Sequence, residues 1–571
     1  MAFSLCNGER AVVVLYISRV MFSSLPSSLF FYESIGLLLL AFAGLFVEIS
    51  AEYSNALDRF KTRPGASSGI LLGTVTLPTV MLSRLIQLSR ALSEHAIEPE
   101  ELEFLNVQYW AVSASCFGVL VLLYAVIWHS ATSSSHSGSV QDSLCTLLYL
   151  VLYAAVCYMS LSSKSYSGWH IWTKLLWIVC HGLASLILIQ HIFHTFPLCT
   201  SIGEALLVTG GLVFYFGDML AFTLAKINEY ALSSKLTTIQ LGIRRSEIST
   251  ISQGVLLGLL LLPIFYKFVL RIWLHFTRLI NHGAHAAEGM TCEGIGRSIL
   301  FYASMAVTLI IIVPTWMQFV QDFHGHPVLW ISTFVFTEPL KRLSLCIYWI
   351  CVICASVLRF YNISKNSKIE RILLRKYYHL VAVIMFVPAL LFQPKFLDLA
   401  FGAALAVFLV LEMIRVWRVW PLGHLVHQFM NAFTDHRDSD ILIVSHFSLL
   451  LGCALPKWLS SGFNDRPLTP FAGILSLGIG DTMASMVGHK YGILRWSKTG
   501  KKTVEGTAAG ITSVLVACSV LVPLLASTGF ILSQHWLSLL IAVTISGMLE
   551  AYTAQLDNAF IPLVFYSLLC L

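Results

Sequence analysis

Long apolar segments recur along the whole chain and alternate with short polar stretches. The apolar runs that are long enough to form or seed a span include residues 35–47, 111–128, 205–225, 254–268, 299–314, 345–357, 380–392 and 512–526. A helix needs about 20 mainly apolar residues to cross a bilayer. The pattern therefore predicts an all-α integral membrane protein, a multi-span helical bundle of roughly 14 transmembrane helices.

Composition supports a membrane protein and excludes several other classes. Of the 571 residues, 57% are hydrophobic and only 12% are charged, too few charges for a water-soluble surface. The net charge of +6 is spread along the chain, which indicates basic cytosolic loops and not a nucleic-acid partner. The 13 cysteines lack the spacing of a disulfide framework.

Polar residues gather into four clusters in the last third of the chain. The clusters span residues 365–379, 412–440, 478–505 and 550–557. We therefore divide the chain into an N-terminal multi-span hydrophobic region, residues 1–360, whose role the sequence does not indicate, and a C-terminal multi-span catalytic region, residues 361–571.

The four clusters are predicted to reach the same face of the membrane. Each interval between them contains two apolar segments, so the chain crosses the bilayer twice before the next cluster begins. The first and third clusters are rich in lysine and arginine, which identifies their face as cytosolic by the positive-inside rule. A shared polar site facing the cytosol follows from this count.

The third cluster carries the most informative chemistry. Asp481 and Ser485 are one helical turn apart, so a carboxylate and a hydroxyl share one helix face at the membrane edge. An unpaired carboxylate there is costly, so a cation is expected to face Asp481, either the Lys501–Lys502 pair or a metal ion, of which we favour the metal. The glycines of the cluster permit close approach of the backbone either to a ligand or to another helix.

The order of residues in this cluster is specific. It reads D-x-x-A-x-x-x-G-x-x-x-G from Asp481 to Gly492, then a basic stretch, then K-K-T-x-E-G from Lys501 to Gly506. A Walker P-loop is excluded, because Arg495 and Lys502 occupy positions that the P-loop gives to Gly and to Ser or Thr. The motif resembles the CTP-binding motif of dolichol kinases, and phosphatidate cytidylyltransferases and phytol kinases carry a related version.

Two further stretches narrow the resemblance to dolichol kinases. Residues 411–452 are similar to the segment that precedes the nucleotide motif in that family, and residues 549–562 are similar to the segment that follows it. The Gly- and His-rich ending of the cytidylyltransferases is absent. The resemblance covers about residues 370–571.

The resemblance implies a CTP-dependent kinase of the endoplasmic reticulum membrane that phosphorylates the hydroxyl of dolichol for protein glycosylation. It implies a divalent cation, expected to be Mg²⁺, that is held by Asp481 and Asp557. Glu505 is the predicted general base. The roles of these three catalytic acids can be exchanged. The implied CTP-binding residues are Gly478, Gly480, Thr482, Ser485, Gly488, Gly492, Arg495, Lys498, Lys501, Lys502, Thr503, Gly506 and Thr507.

Six polar residues outside this motif are candidate contacts for lipid or phosphate: Lys376, His379, Arg415, Asp435, Asp438 and Glu550. Arg415 lies three residues after Glu412, and an ion pair within the helix is the favoured interpretation of these two. Asp435 and Asp438 are equally compatible with a solvated turn or a helix cap.

Two other functions compete with the kinase. A cytidylyltransferase acting on phosphatidate would use the same nucleotide but release pyrophosphate where a kinase releases CDP. A transporter would need corresponding broken helices in two halves, whereas here the polar residues are crowded into the last third of the chain.

Overall fold

The computed structural model describes residues 7–24, 28–54, 60, 62–63, 67–132, 140–164, 170–231, 245–280, 289–323, 325–366, 371–431, 442–496, 502–527 and 535–571. Helices account for almost all of these residues. The one β-type pairing among them is an isolated antiparallel bridge between Arg495 and Thr503. The predicted all-α membrane fold is confirmed.

The described residues of the N-terminal region include twelve α-helices. Their bounds are α1 Gly8–Ser24, α2 Phe31–Ser54, α3 Ile70–Ser93, α4 Pro99–Thr132, α5 Val140–Ser163, α6 Ile171–Thr195, α7 Ile202–Ala231, α8 Glu247–Ile280, α9 Gly289–Val307, α10 Val313–Val320, α11 Pro327–Thr337 and α12 Pro339–Asn366. A π-helical segment, Thr308–Ile312, joins α9 directly to α10.

Eight further α-helices lie in the part of the C-terminal region that the structure describes. They are α13 Arg371–Phe392, α14 Pro394–Trp417, α15 Gly423–Asn431, α16 Val444–Leu459, α17 Thr482–Tyr491, α18 Val504–Ser527, α19 Trp536–Tyr552 and α20 Asp557–Leu569. A π-helical segment, Ile474–Asp481, leads without a break into α17. Such segments occur often at functional sites, and this one ends on Asp481.

The predicted count of roughly 14 spans is not confirmed. By length and composition, 11 helices of the described chain can cross a membrane, and five more apolar helices are shorter than 18 residues. Three predicted crossings, in residues 380–392, 441–459 and 537–548, fall on these shorter helices.

Both regions contribute to one hydrophobic core, which includes Val12, Leu82, Leu475 and Phe565. The hydroxyls of Ser83 in α3 and Ser567 in α20 lie 2.8 Å apart within it. An N-terminal helix therefore packs directly on α20, which begins at the end of the fourth polar cluster.

The starts of α13, α18 and α20 lie at one end of the bundle. The π-helical segment and α19 end there too. We call this the site end. Contacts between Lys376 and Asp481, and between Lys502 and the backbone of Glu550, connect these elements there. At the opposite end, Arg90 pairs with Asp465 at 2.7 Å and donates to the Cys570 carbonyl at 2.7 Å.

Candidate active site

Asp481 lies at the centre of the site end and is almost completely buried, with 2% of its surface exposed. The Lys376 ammonium forms an ion pair with Asp481 Oδ2, and His379 Nδ1 lies 3.2 Å from the same oxygen. The Ser485 hydroxyl lies 3.5 Å from Asp481 Oδ1. The cation that faces Asp481 is therefore Lys376, which we did not predict there; Lys501 lies outside the described residues.

The packing of α13 against the π-helical segment explains this contact. Lys376 and His379 are three residues apart, so they share the face of α13 that meets the segment. A side chain at Gly478 would collide with Val383 of α13, so the glycine lets the two backbones approach closely. His379 Nδ1 and the Thr482 hydroxyl bond to backbone carbonyls across this interface, at 3.2 and 3.3 Å.

Two further carboxylates act on the same lysine. Glu550, near the end of α19, and Asp557, at the start of α20, both interact electrostatically with Lys376, and Glu550 also interacts with Asp481 and Lys502. Within the part of the chain that the structure describes, the Glu550 carboxylate has no hydrogen-bond donor. Three acids and two lysines from five elements therefore share one site.

The basic stretch of the nucleotide motif folds back on itself between α17 and α18. The Arg495–Thr503 bridge is extended by backbone bonds from Trp496 N to Lys502 O, 3.2 Å, and from Val504 N to Leu494 O, 2.8 Å. We call residues 492–496 and 502–504 the basic hairpin; Lys498 and Lys501 lie outside the described residues. The hairpin places Lys502 beside Glu550 and presents its positive charge at the site end.

Glu505 supports this hairpin. Its carboxylate accepts two bonds from the Leu494 backbone N–H, with N–O distances of 3.0 and 3.2 Å. Trp496 adds a second anchor, because its indole N–H donates to the Thr507 hydroxyl at 2.9 Å and its ring packs on Tyr552. The assignment of Glu505 as general base stays a prediction, and its observed contact is structural.

The glycines of the motif lie between helices. A β-carbon on Gly506 of α18 would come within 2.6 Å of the Ala484 carbonyl of α17, and one on Gly488 within 2.9 Å of the Thr503 hydroxyl. Gly480 faces Val514 in the same way, at 3.1 Å. Of the two uses predicted for these glycines, helix packing is observed, and their contact with CTP stays a prediction.

The second polar cluster does not reach Asp481 through any described contact. Arg415 binds the Glu412 carboxylate through two nitrogens, at 2.8 and 2.7 Å, so the predicted ion pair is confirmed. Glu412 also accepts from the Ile443 N–H at 3.0 Å, which ties the start of α16 to α14. Asp435 and Asp438 lie outside the described residues.

Comparison with known proteins identifies the family of the chain. A family model described as dolichol kinase matches residues 175–517. The chain is 61% identical to a dolichol kinase of Arabidopsis thaliana over 572 positions, covering all of this chain and 99% of the relative. The chain belongs to the dolichol kinase family.

More distant dolichol kinases match part of the chain. The human protein is 30% identical over 393 residues, 66% of each chain, and the Saccharomyces cerevisiae protein is 30% identical over 244 residues, 42% of this chain and 43% of the relative. No solved structure matches.

The donor set of this dolichol kinase family member fits a divalent cation shared with a substrate. No described group of three or more His, Cys, Asp or Glu side chains could hold a metal by itself. Mg²⁺ commonly binds through one or two carboxylates together with water and substrate phosphates. Asp481 and Asp557 both interact with Lys376, and their role as ligands of a cation stays a prediction.

Sequence reasoning missed the polar network that holds the loop before Asp557. Gln555 bonds to the Ser201 hydroxyl and donates to the Ser67 carbonyl at 2.9 Å. Glu204, which pairs with Arg63, accepts from the Leu556 N–H at 2.8 Å. The N-terminal helices of this dolichol kinase thus position an element of the site, and no motif in the first 360 residues signals it.

Proposed function

We propose that this protein transfers the γ-phosphoryl group of CTP to the terminal hydroxyl of dolichol, giving dolichyl phosphate and CDP. Family membership supports dolichol as the acceptor. The observation that carries the proposal is the convergence of the basic hairpin with Asp481, Glu550 and Asp557 at one end of a membrane-embedded bundle. This end can receive a water-soluble triphosphate while the lipid stays in the bilayer.

Each part of the site has a role in this reaction. Lys502 and Arg495 of the basic hairpin supply positive charge for the phosphates, as charge-assisted hydrogen bonds do in other phosphate sites. Lys376 holds Asp481 in place and is a second cation close to the transferred group. A divalent cation, for which we propose Mg²⁺, would neutralise charge on the β- and γ-phosphates, and Asp481 and Asp557 are its candidate ligands.

The direct test follows the label of CTP. Purified protein is incubated with dolichol and either γ-labelled or α-labelled CTP. The γ-label is expected in the lipid fraction and the α-label in CDP. Incorporation of the α-label into lipid, with phosphatidate as acceptor, would indicate a cytidylyltransferase. A protein that makes neither product but moves a solute across vesicles would be a transporter.

We further propose that the site end faces the cytosol in the endoplasmic reticulum membrane. The basic charge of the first and third clusters supports this orientation. Cysteines introduced at Lys498 and at Ile493, which is 85% exposed in the basic hairpin, should react with a membrane-impermeant maleimide in sealed microsomes without detergent. A cysteine at Ser461, at the opposite end, serves as the control and should react only after permeabilisation. The reverse pattern would contradict the orientation.

A further inference from the structure

A cavity opens at the site end and extends into the membrane-embedded bundle; its empty volume of about 330 Å³ includes space that is open to the surroundings. It lies between the π-helical segment, α18, α19 and α20. Its wall runs from Thr507 to Val514 on α18 and from Glu550 to Val543 on α19. Seven residues of helix rise about 10 Å, so the cavity follows two helical turns below the surface of the site.

The cavity is apolar at depth and acidic at its mouth. Val514, Val543, Ile561 and Phe565 line the deeper part, while Glu550 lies at the end nearest the basic hairpin. Small residues on three elements, Gly480, Gly510 and Gly547, also line the cavity, and each lies close to a neighbouring helix. A mainly apolar pocket with a few directed polar groups is typical of a small-molecule site.

One hydroxyl in the wall has no partner. Ser546 lines the cavity one turn below Glu550, is 5% exposed, and its Oγ makes no hydrogen bond in the described structure. Buried hydroxyls are normally bonded, because an unsatisfied one is costly in an apolar environment. The other wall hydroxyls are bonded: Ser476 donates to the Ala472 carbonyl at 2.7 Å and Thr507 accepts from Trp496 at 2.9 Å.

Glu550 is also distinguished from the other acids of the site. Asp481 is engaged by Lys376, and Glu505 by the Leu494 N–H. Lys502 donates to the backbone carbonyl of Glu550, so the carboxylate lies where the cavity meets the hairpin. A group bound in the cavity and a phosphate bound by the hairpin would therefore meet at Glu550.

We propose that the cavity binds the hydroxyl-terminal isoprenoid unit of the acceptor lipid, and that Glu550 is the general base. This inference rests on the proposed kinase function and names the lipid subsite. Ser546 hydrogen-bonds the alcohol. As the alcohol oxygen forms its bond to the γ-phosphorus, the bond from that phosphorus to the β–γ bridging oxygen breaks. CDP leaves with the electron pair, and the hydroxyl proton moves to the Glu550 carboxylate and then to water.

The first experiment locates the lipid in the unmodified protein. A dolichol analogue with a diazirine in its hydroxyl-terminal isoprenoid unit is photolysed with the full-length enzyme, and the labelled peptides are sequenced. Adducts are expected in residues 543–550 or 507–514, and excess dolichol should suppress them. Adducts elsewhere, or suppression by phospholipid as effective as that by dolichol, would overturn the assignment of the cavity.

The second experiment fills the cavity from its deeper part. Val543→Phe should raise the KM for dolichol at least about tenfold and leave the KM for CTP unchanged, because the ring occupies lipid space and not the hairpin. The matched control is Leu540→Phe on the same helix, whose side chain is 45% exposed on the outer face of the bundle. Equal dolichol KM values for the two variants would contradict the proposal.

The third experiment tests the base. Glu550→Gln should lower kcat by about 10²–10⁴-fold, the usual contribution of a general base, and should remove the fall of kcat at low pH. Glu550→Asp should recover part of the rate. Parent-like kcat in Glu550→Gln would overturn the role of Glu550. If the parent itself fails to transfer the γ-label, the proposed function fails; if it succeeds while these variants behave normally, only the present inference fails.

Discussion

Buried charges are arranged differently in the N-terminal helices and at the candidate active site. In the N-terminal region four of the five buried glutamates that the structure describes pair with a cation distant in sequence, as in Lys164–Glu33 at 2.7 Å and Arg10–Glu48 at 2.7 Å. At the site end, Lys376 is paired with Asp481 but also interacts with Glu550 and Asp557. The N-terminal ion pairs balance their charges without a ligand. At the site end the acids outnumber the cation that they share, so a carboxylate can take part in catalysis.

The difference has a physical origin. A charge inside a membrane protein is costly, and a single well-placed counter-charge is the usual way to retain it. Fixed pairs between helices specify how the helices pack. A site that must bind a polyphosphate and a lipid hydroxyl has to keep charged groups whose partners arrive with the substrates. The N-terminal ion pairs thus stabilise the bundle, and this stability offsets the cost of the acids that are gathered at the site end.

Breaking a buried ion pair of the N-terminal region is expected to have the largest effect, a loss of unfolding free energy. Glu33→Gln leaves the Lys164 ammonium, which is 3% exposed, without its acid. Loss of one partner of a buried pair typically costs about 3–5 kcal/mol of unfolding free energy. Thermal unfolding in detergent should therefore show a large fall in stability, while kcat per folded molecule stays near the parent value. A selective fall in kcat would contradict a structural role.

Asp481→Asn tests whether the buried acid at the site end acts in catalysis. We expect the variant to fold, because Glu550 and Asp557 still balance Lys376, and to lose at least about a hundredfold in turnover, as when a major electrostatic contributor is removed. Turnover is measured at saturating CTP, dolichol and cation with matched expression. Near-normal turnover would show that Asp481, like Glu33, is structural.

Lys502→Ala separates nucleotide binding from catalysis. Removing a charge-assisted phosphate contact should weaken CTP affinity by about 1.5–3 kcal/mol, which is a rise in KM for CTP of about 10–150-fold. Lys490→Ala, on α17 outside the hairpin, is the control and should leave CTP affinity unchanged. If both variants bind CTP as the parent does, the basic hairpin only sets membrane topology.

Of these four substitutions, Glu505→Gln should change stability and enzyme kinetics least. The amide oxygen can still accept from the Leu494 N–H, so the basic hairpin is retained, and we expect a change in the KM for CTP of less than about fivefold, within 1 kcal/mol, with kcat preserved. Initial rates over a range of CTP concentrations provide the test. A hundredfold loss of kcat would instead support Glu505 as the general base, the role that the resemblance implies.

The sequence by itself determined the membrane class, the helical fold, the gathering of polar residues at one end and the family. These follow from local pattern, because an apolar run of given length specifies a span and the number of spans between two clusters specifies whether they share a face. The Glu412–Arg415 pair was predictable for the same reason, since both residues lie on one helix three positions apart.

Only the tertiary structure decided which charges meet. Several lysines reach the site end, and Lys376 contacts Asp481 across 105 positions of sequence because α13 packs against the π-helical segment at Gly478. The same holds for Gln555, which bonds to Ser67 and Ser201 of the N-terminal region. Helical periodicity specifies the face on which a side chain lies, but the partner of that face is chosen by packing between distant helices, which no local pattern records.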